Sequence, residues 1–192
     1  MLLEFASEGR QIFLFLQVGF IMDSSSTFHA QIEFVFMHNA RTKKIPLMFI
    51  MKNKERFRGR VDDFDQYHII IDDAEMKIMI NKNDIATVAA AKTVVDIDFI
   101  SKIYYNAHQG RQPKHTRPPM QDIFLNEVRK SRSPIVSFLI NGVKIRGSLI
   151  GFDNYTLLTA FEGRQQLVYK NTVSTVFPIY QHGEIIKYDN ER

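Results

Sequence analysis

The chain contains the same segment twice. Set against itself at an offset of 88 residues, Glu33–Val88 runs without a gap along Gln121–Val176. Phe36 falls on Phe124, Arg41 on Arg129, Pro46 on Pro134 and Asn53 on Asn141. Arg58-Gly59 falls on Arg146-Gly147, Phe64-Asp65 on Phe152-Asp153, Tyr67 on Tyr155, and Lys82-Asn83 on Lys170-Asn171. Thirteen of 56 positions are identical where chance gives about 3, and many other pairs exchange one aliphatic residue for another. The length of 192 residues suggests one ordinary domain; the repeat replaces it with two small ones.

Both copies follow one pattern. In the second, Ile123, Phe124, Leu125 and Val128 form one apolar face of a short helix, closed by Arg129, Lys130 and Arg132 and stopped by Pro134. Five strand-like stretches follow: 135–140, 143–152, 155–161, 165–170 and 173–177. Asn141-Gly142 predicts a two-residue hairpin between the first two, and Glu162-Gly163 turns the third into the fourth. In the first copy the hairpin falls on Asn53-Lys54, a weaker turn pair. The predicted fold is mainly β: two small open barrels, each a short N-terminal helix plus five bent antiparallel strands. A unit of about 56 residues buries little apolar surface. Its edge strands also need partners, which closure into a ring supplies.

The rest of the chain divides around these units. Residues 1–25 form an N-terminal extension, 26–100 the divergent first domain and 101–119 a linker; 120–180 is the second domain and 181–192 a polar tail. In the extension, Ile12–Met22 is apolar but shorter than the ~20 residues a membrane helix needs. Glu4 and Glu8 before it, and Asp23-Ser24-Ser25 after it, argue against a secretory signal. A docking helix and a leader ahead of a start at Met22 both fit, the leader being favoured. No membrane partner is expected, and a cytoplasmic location is. The linker stretch NAHQGRQPKHTRPP is basic and Pro-rich, a tether or a plain spacer. The absence of Cys removes disulfides, thiolate zinc sites, iron–sulfur clusters and a cysteine nucleophile. No Ser/His/Asp set, phosphate-binding glycine loop or metal-ligand spacing is present, so neither an enzyme nor a cofactor is expected.

Two stretches carry a family resemblance. QDIFLNEVRKSRSPIVSFLINGVKIRGSLIGFDNYTLL (121–158) and LVYKNTVSTVFP (167–178) resemble the Hfq family of bacterial Sm-like RNA chaperones. Tyr169-Lys170-Asn171 stands for the family's Tyr-Lys-His, and the turn at Glu162-Gly163 is one residue longer than the family pattern. The first copy is tied to the family through the duplication. The resemblance implies rings that bind single-stranded RNA, small regulatory RNAs and mRNAs, on three surfaces and promote RNA–RNA pairing in post-transcriptional regulation. With two units per chain, it implies a homotrimer closing a pseudo-hexamer.

The proximal surface, which takes uridine-rich RNA, maps to Gln121, Asn154, Tyr155, Lys170 and Asn171, and in the first copy to Gln66, Tyr67, Lys82 and Asn83. There Glu33 replaces the Gln, and an ionised carboxylate offers no donor and repels phosphate. That pocket is expected to bind uridine more weakly unless Glu33 points away. The distal, adenine-reading surface maps to Phe138, Gly142, Lys144, Arg146, Gln166 and Thr175, with Arg56 and Arg58 in the first copy. The rim maps to Asn126, Arg129, Lys130, Arg132 and Phe152, with Arg41 and Lys44 in the first copy.

Charge divides the two copies. The first holds 10 basic and 9 acidic residues, the second 7 and 4, and the connector 89–120 5 and 2. The excess lies with the second copy and the connector, where RNA is expected. The competing reading is a ring scaffold whose first copy has lost RNA binding and recruits a protein partner, motivated by Asp62, Asp63, Asp65, Asp72, Asp73 and Glu75, acid that discourages RNA.

Overall fold

The computed structural model describes residues 31–96, 99–100 and 119–179. The apolar run 12–22, residues 101–118 of the linker and the tail lie outside the described residues. The first unit comprises α1 (Gln31–Thr42), β1 (Pro46–Met51), β2 (Arg56–Phe64), β3 (His68–Asp72), β4 (Lys77–Asn81) and β5 (Ile85–Ala90). The second comprises α2 (Met120–Ser131), β6 (Pro134–Leu139), β7 (Lys144–Phe152), β8 (Thr156–Phe161), β9 (Arg164–Tyr169) and β10 (Val173–Pro178). A single 3₁₀ turn, Lys82–Asp84 or Lys170–Thr172, precedes the last strand of each unit. The architecture is mainly β with antiparallel pairing throughout, as the alternating apolar pattern predicts.

Both helices lie by one apolar stripe on their strands. In α1, Ile32, Val35, Phe36 and Ala40 recur at helical spacing and are buried; in α2, Leu125 and Val128 are. Pro134 is not what stops α2. The helix ends earlier, where Arg132 takes the left-handed conformation (φ 54°) and its N–H donates to the Arg129 carbonyl. Lys44 (φ 50°) occupies the matching place after α1.

The second strand of each unit curves around its core. At Gly59 an added Cβ would lie 2.8 Å from the Asp72 carbonyl oxygen, and at Gly147 2.8 Å from that of Ala160. Only glycine lets the third strand cross so closely, which explains why the pair survives in both copies. The Asn141-Gly142 hairpin differs from expectation. A three-residue loop forms, with the Gly142 N–H donating to the Leu139 carbonyl and the Leu139 N–H to that of Val143, both at 2.9 Å. Gly142 sits at φ +83°. The first unit closes its loop in the same way but with Lys54 at φ 74°, a conformation that costs a non-glycine residue about 1 kcal/mol.

The two units share one sheet. Its order is β10-β6-β7-β8-β9-β5-β1-β2-β3-β4, ten strands with the units joined where β5 pairs β9. Thr87 faces Val168, Val88 faces Leu167, Ala89 faces Gln166 and Ala90 faces Gln165. Leu158, Leu167 and Tyr169 of the second unit lie in the first unit's core, and Ala86 lies in the second's. The ends of the order are β4 and β10. Among the described residues no helix is long and apolar enough to cross a membrane.

Candidate functional site

The loop between β7 and β8 presents an aromatic ring. Asp153 is buried, and its Oδ1 accepts the N–H groups of Tyr155 (2.8 Å) and Thr156 (2.7 Å), drawing the chain into a tight turn. Burial raises the Asp153 pKa, and these hydrogen bonds offset only part of the rise. The Tyr155 carbonyl accepts the Lys170 N–H at 2.7 Å, so this turn and the 3₁₀ turn are locked side by side. Tyr155 stands 62% exposed.

Beside it Lys170 is half-buried. Its Nζ donates to Gln121 Oε1 at 3.3 Å and lies 5.0 Å from the centre of the Phe152 ring. Burial lowers the Lys170 pKa, while Asp122 and Asp153 act to raise it. Asn154 and Asn171 are exposed on the same two turns. A cleft of about 240 Å³ opens alongside, lined by Gln121, Phe124, Leu125, Lys170 and Thr175. A flat exposed ring, a cation and amide groups can stack a base and donate to its carbonyls.

The first unit repeats the frame but not the charges. Asp65 Oδ1 accepts the Tyr67 and His68 N–H groups at 2.6 Å, and the Tyr67 carbonyl accepts the Lys82 N–H at 2.8 Å. Tyr67 is 59% exposed, and Gln66 and Asn83 are exposed. Lys82 is different. It is buried, lies 5.5 Å from the Phe64 ring centre and forms an ion pair with Glu33 at 2.8 Å. Glu33 therefore points at the lysine, not away from it. Its Oε1 also accepts the Tyr169 hydroxyl at 2.9 Å.

The expected distal residues are brought together in part. Thr175, Phe138 and Lys144 are cross-strand neighbours on β10, β6 and β7. Phe138 stacks on Phe177 at 5.8 Å, and the Lys144 ammonium lies 5.4 Å from its ring centre. Gly142 is exposed at the loop and Arg146 further along β7. Gln166 stands apart on β9, opposite Ala89 at the junction of the units. Arg56 and Arg58 are exposed on one side of β2.

On the rim, Lys130 and Arg132 are exposed, and Asn126 and Arg129 half-buried. Phe152, expected among them, is buried beneath Lys170 instead, because the last residue of β7 turns into the core. In the first unit Lys44 is exposed, but Arg41 pairs with Asp63 at 2.9 Å. The acidic cluster is committed locally. Asp62 pairs with Lys77 at 2.7 Å, and Asp65, Asp72 and Asp73 accept N–H groups of their own turns.

Sequence reasoning missed the turn-forming bonds of Asp65 and Asp153 and the bond from Tyr169 to Glu33. The signal was present for the first two, as an identity at the repeat offset; Tyr169 gains its role only from an element of the other unit.

A sequence model described as "Hfq protein" matches this chain twice, at residues 33–95 and 120–190. The RNA-binding protein Hfq of Desulfitobacterium hafniense (strain DSM 10664 / DCB-2) is 50% identical over 60 residues, 31% of this chain and 72% of that protein. The RNA-binding protein Hfq of Clostridium perfringens (strain SM101 / Type A) is 52% identical over 59 residues, 31% of this chain and 74% of that protein. A crystal structure of the pleiotropic translational regulator Hfq is 28% identical, covering 30% of this chain and 97% of that one, with a TM-score of 0.29.

Proposed function

The chain belongs to the Hfq family, and from that premise we propose that it binds single-stranded RNA and acts as an RNA chaperone. The observation that carries this is the second unit's proximal constellation. Tyr155 stands exposed, Lys170 is held to Gln121 at 3.3 Å, and Phe152 lies beneath the ammonium. Stacking a uracil on Tyr155 contributes about 1–3 kcal/mol, and Lys170 and Gln121 offer donors to its carbonyls. Asn171, in the family's usual His position, keeps a neutral amide there. Phe138, Lys144 and Thr175 form the distal row, where Arg146 favours phosphate over a shaped contact to adenine. Lys130 and Arg132 on the rim screen the repulsion between two RNA strands, and so help small RNAs and mRNAs to pair in post-transcriptional control.

The working assembly is a trimer of chains closing a pseudo-hexameric ring, with domains at 26–100 and 120–180 and the linker 101–119 between them. The junction inside one chain is the template. There Asp153 Oδ2 accepts the Glu33 N–H (3.1 Å), Asn141 Nδ2 donates to the Met51 carbonyl (3.1 Å) and Thr87 Oγ1 donates to that of Leu167 (2.8 Å). Asp65, Asn53 and Thr175 are the counterparts of these groups at the repeat offset, and the sheet ends on β4 and β10. A head-to-tail contact that repeats in this way supports closure.

Fluorescence anisotropy with uridine-rich and adenine-rich oligonucleotides tests the reading. Binding that weakens as salt rises is expected, with Tyr155→Ala and Lys170→Ala each reducing uridine affinity by about tenfold. Absence of binding at moderate salt sinks it.

A further inference from the structure

Resting on that reading, we infer that Glu33 closes the first unit's proximal pocket, so that each chain offers one working uridine site, on its second unit. The ion pair between Glu33 and Lys82 is 2.8 Å long, and the two side chains are 14% and 11% exposed. The Tyr169 hydroxyl reaches in from the second unit and donates to the same carboxylate oxygen at 2.9 Å; Tyr169 is itself only 5% exposed. Lys82 therefore spends its charge on a neighbour that a uracil carbonyl cannot replace, since a neutral oxygen is a weaker acceptor than a carboxylate.

At the matching place in the second unit, Gln121 is neutral and exposed, and Asn81 is the counterpart of Tyr169. The cleft beside Lys170 stays open. The same neutralisation recurs away from the pocket. Asp63 holds Arg41 and Asp62 holds Lys77, and the matching residues of the second unit are Gly151 and Ile150. Three acids in the first unit tie up three cations, and none of the three has an acidic counterpart in the second. The exposed Tyr67 is left as a stacking platform without a free cation behind it.

The test uses the full chain and a short fluorescein-labelled oligouridine. Tyr155→Ala is expected to weaken binding about tenfold or more. Adding Glu33→Gln to that variant is expected to restore most of the affinity through Tyr67 and Lys82. Glu33→Gln alone is expected to raise the saturating stoichiometry from one oligonucleotide per chain to two. The inference is overturned if Tyr155→Ala binds as tightly as the unchanged protein, because the first pocket is then already working. That arm needs no Glu33 variant, so it stands even where Glu33→Gln unfolds the junction. A folded double variant no tighter than Tyr155→Ala also overturns it. If Tyr155→Ala weakens binding while the double variant recovers nothing, the RNA reading survives and only this inference falls. No binding by the unchanged protein removes both.

Discussion

Lys170 is the residue on which protonation and the proposed RNA contact meet. Burial lowers its pKa, so it loses its proton at a lower pH than a free lysine, whose value is about 10.4. In the proposed site the charged form is the one that donates to RNA. Affinity for oligouridine is therefore expected to fall as pH rises toward the ordinary lysine range, before that range is reached. In Lys170→Arg the guanidinium stays charged, and the affinity is expected to fall less over the same interval, the ionisation of the uracil itself being common to both proteins. Anisotropy titrations from neutral to alkaline pH check this, and parallel profiles for the two proteins would refute it. The pair Tyr155 and Lys170 was readable from the repeat alone, since both recur at the same offset as Tyr67 and Lys82. What Lys82 does was not readable: its partner Glu33 lies 49 positions away in the chain and meets it only through the packing of α1 on the barrel.

One buried side chain at the start of β9 ties the segment that follows β5 to the second unit. Gln165 is 2% exposed; its Oε1 accepts the N–H groups of Val94 and Val95, both at 2.8 Å, and its Nε2 donates to the Val95 carbonyl at 2.7 Å. Leaving buried backbone groups unpaired costs about 1–3 kcal/mol each. Gln165→Ala is therefore expected to lower the melting temperature by several degrees, measured by calorimetry. Lys77→Ala, at the matching place on β4, is expected to leave it nearly unchanged because Lys77 lies on the exposed face. Strand positions followed from alternation of apolar residues. The hairpin geometry did not: Asn141 is turned inward to donate to Met51 across the junction, and that partner belongs to the other unit.

At the scale of the molecule, the open edges decide assembly. Met79 on β4 is 69% exposed, whereas its counterpart Leu167 is fully buried where the two units meet. In the proposed trimer, a charge at Met79 would be trapped in the chain-to-chain contact but not inside one chain. Met79→Asp is expected to give folded single chains of 22.4 kDa, against about three times that mass for the unchanged protein, by sedimentation. An unchanged protein sedimenting near six chains would contradict the alternation of units around one ring.

The sequence by itself determined the duplication, the helix-plus-five-strand unit and the family. Each of these is written in local spacing: apolar alternation, turn residues, and identities at a constant offset. Tertiary structure alone decided that β5 pairs β9 within one chain, that Tyr169 enters the core of the other unit, and that Glu33 spends itself on Lys82. These are contacts between residues far apart in the chain, and a carboxylate at a given position reads the same whether it faces solvent or a buried ammonium. Burial and a 2.8 Å separation turn that carboxylate into the difference between the two units.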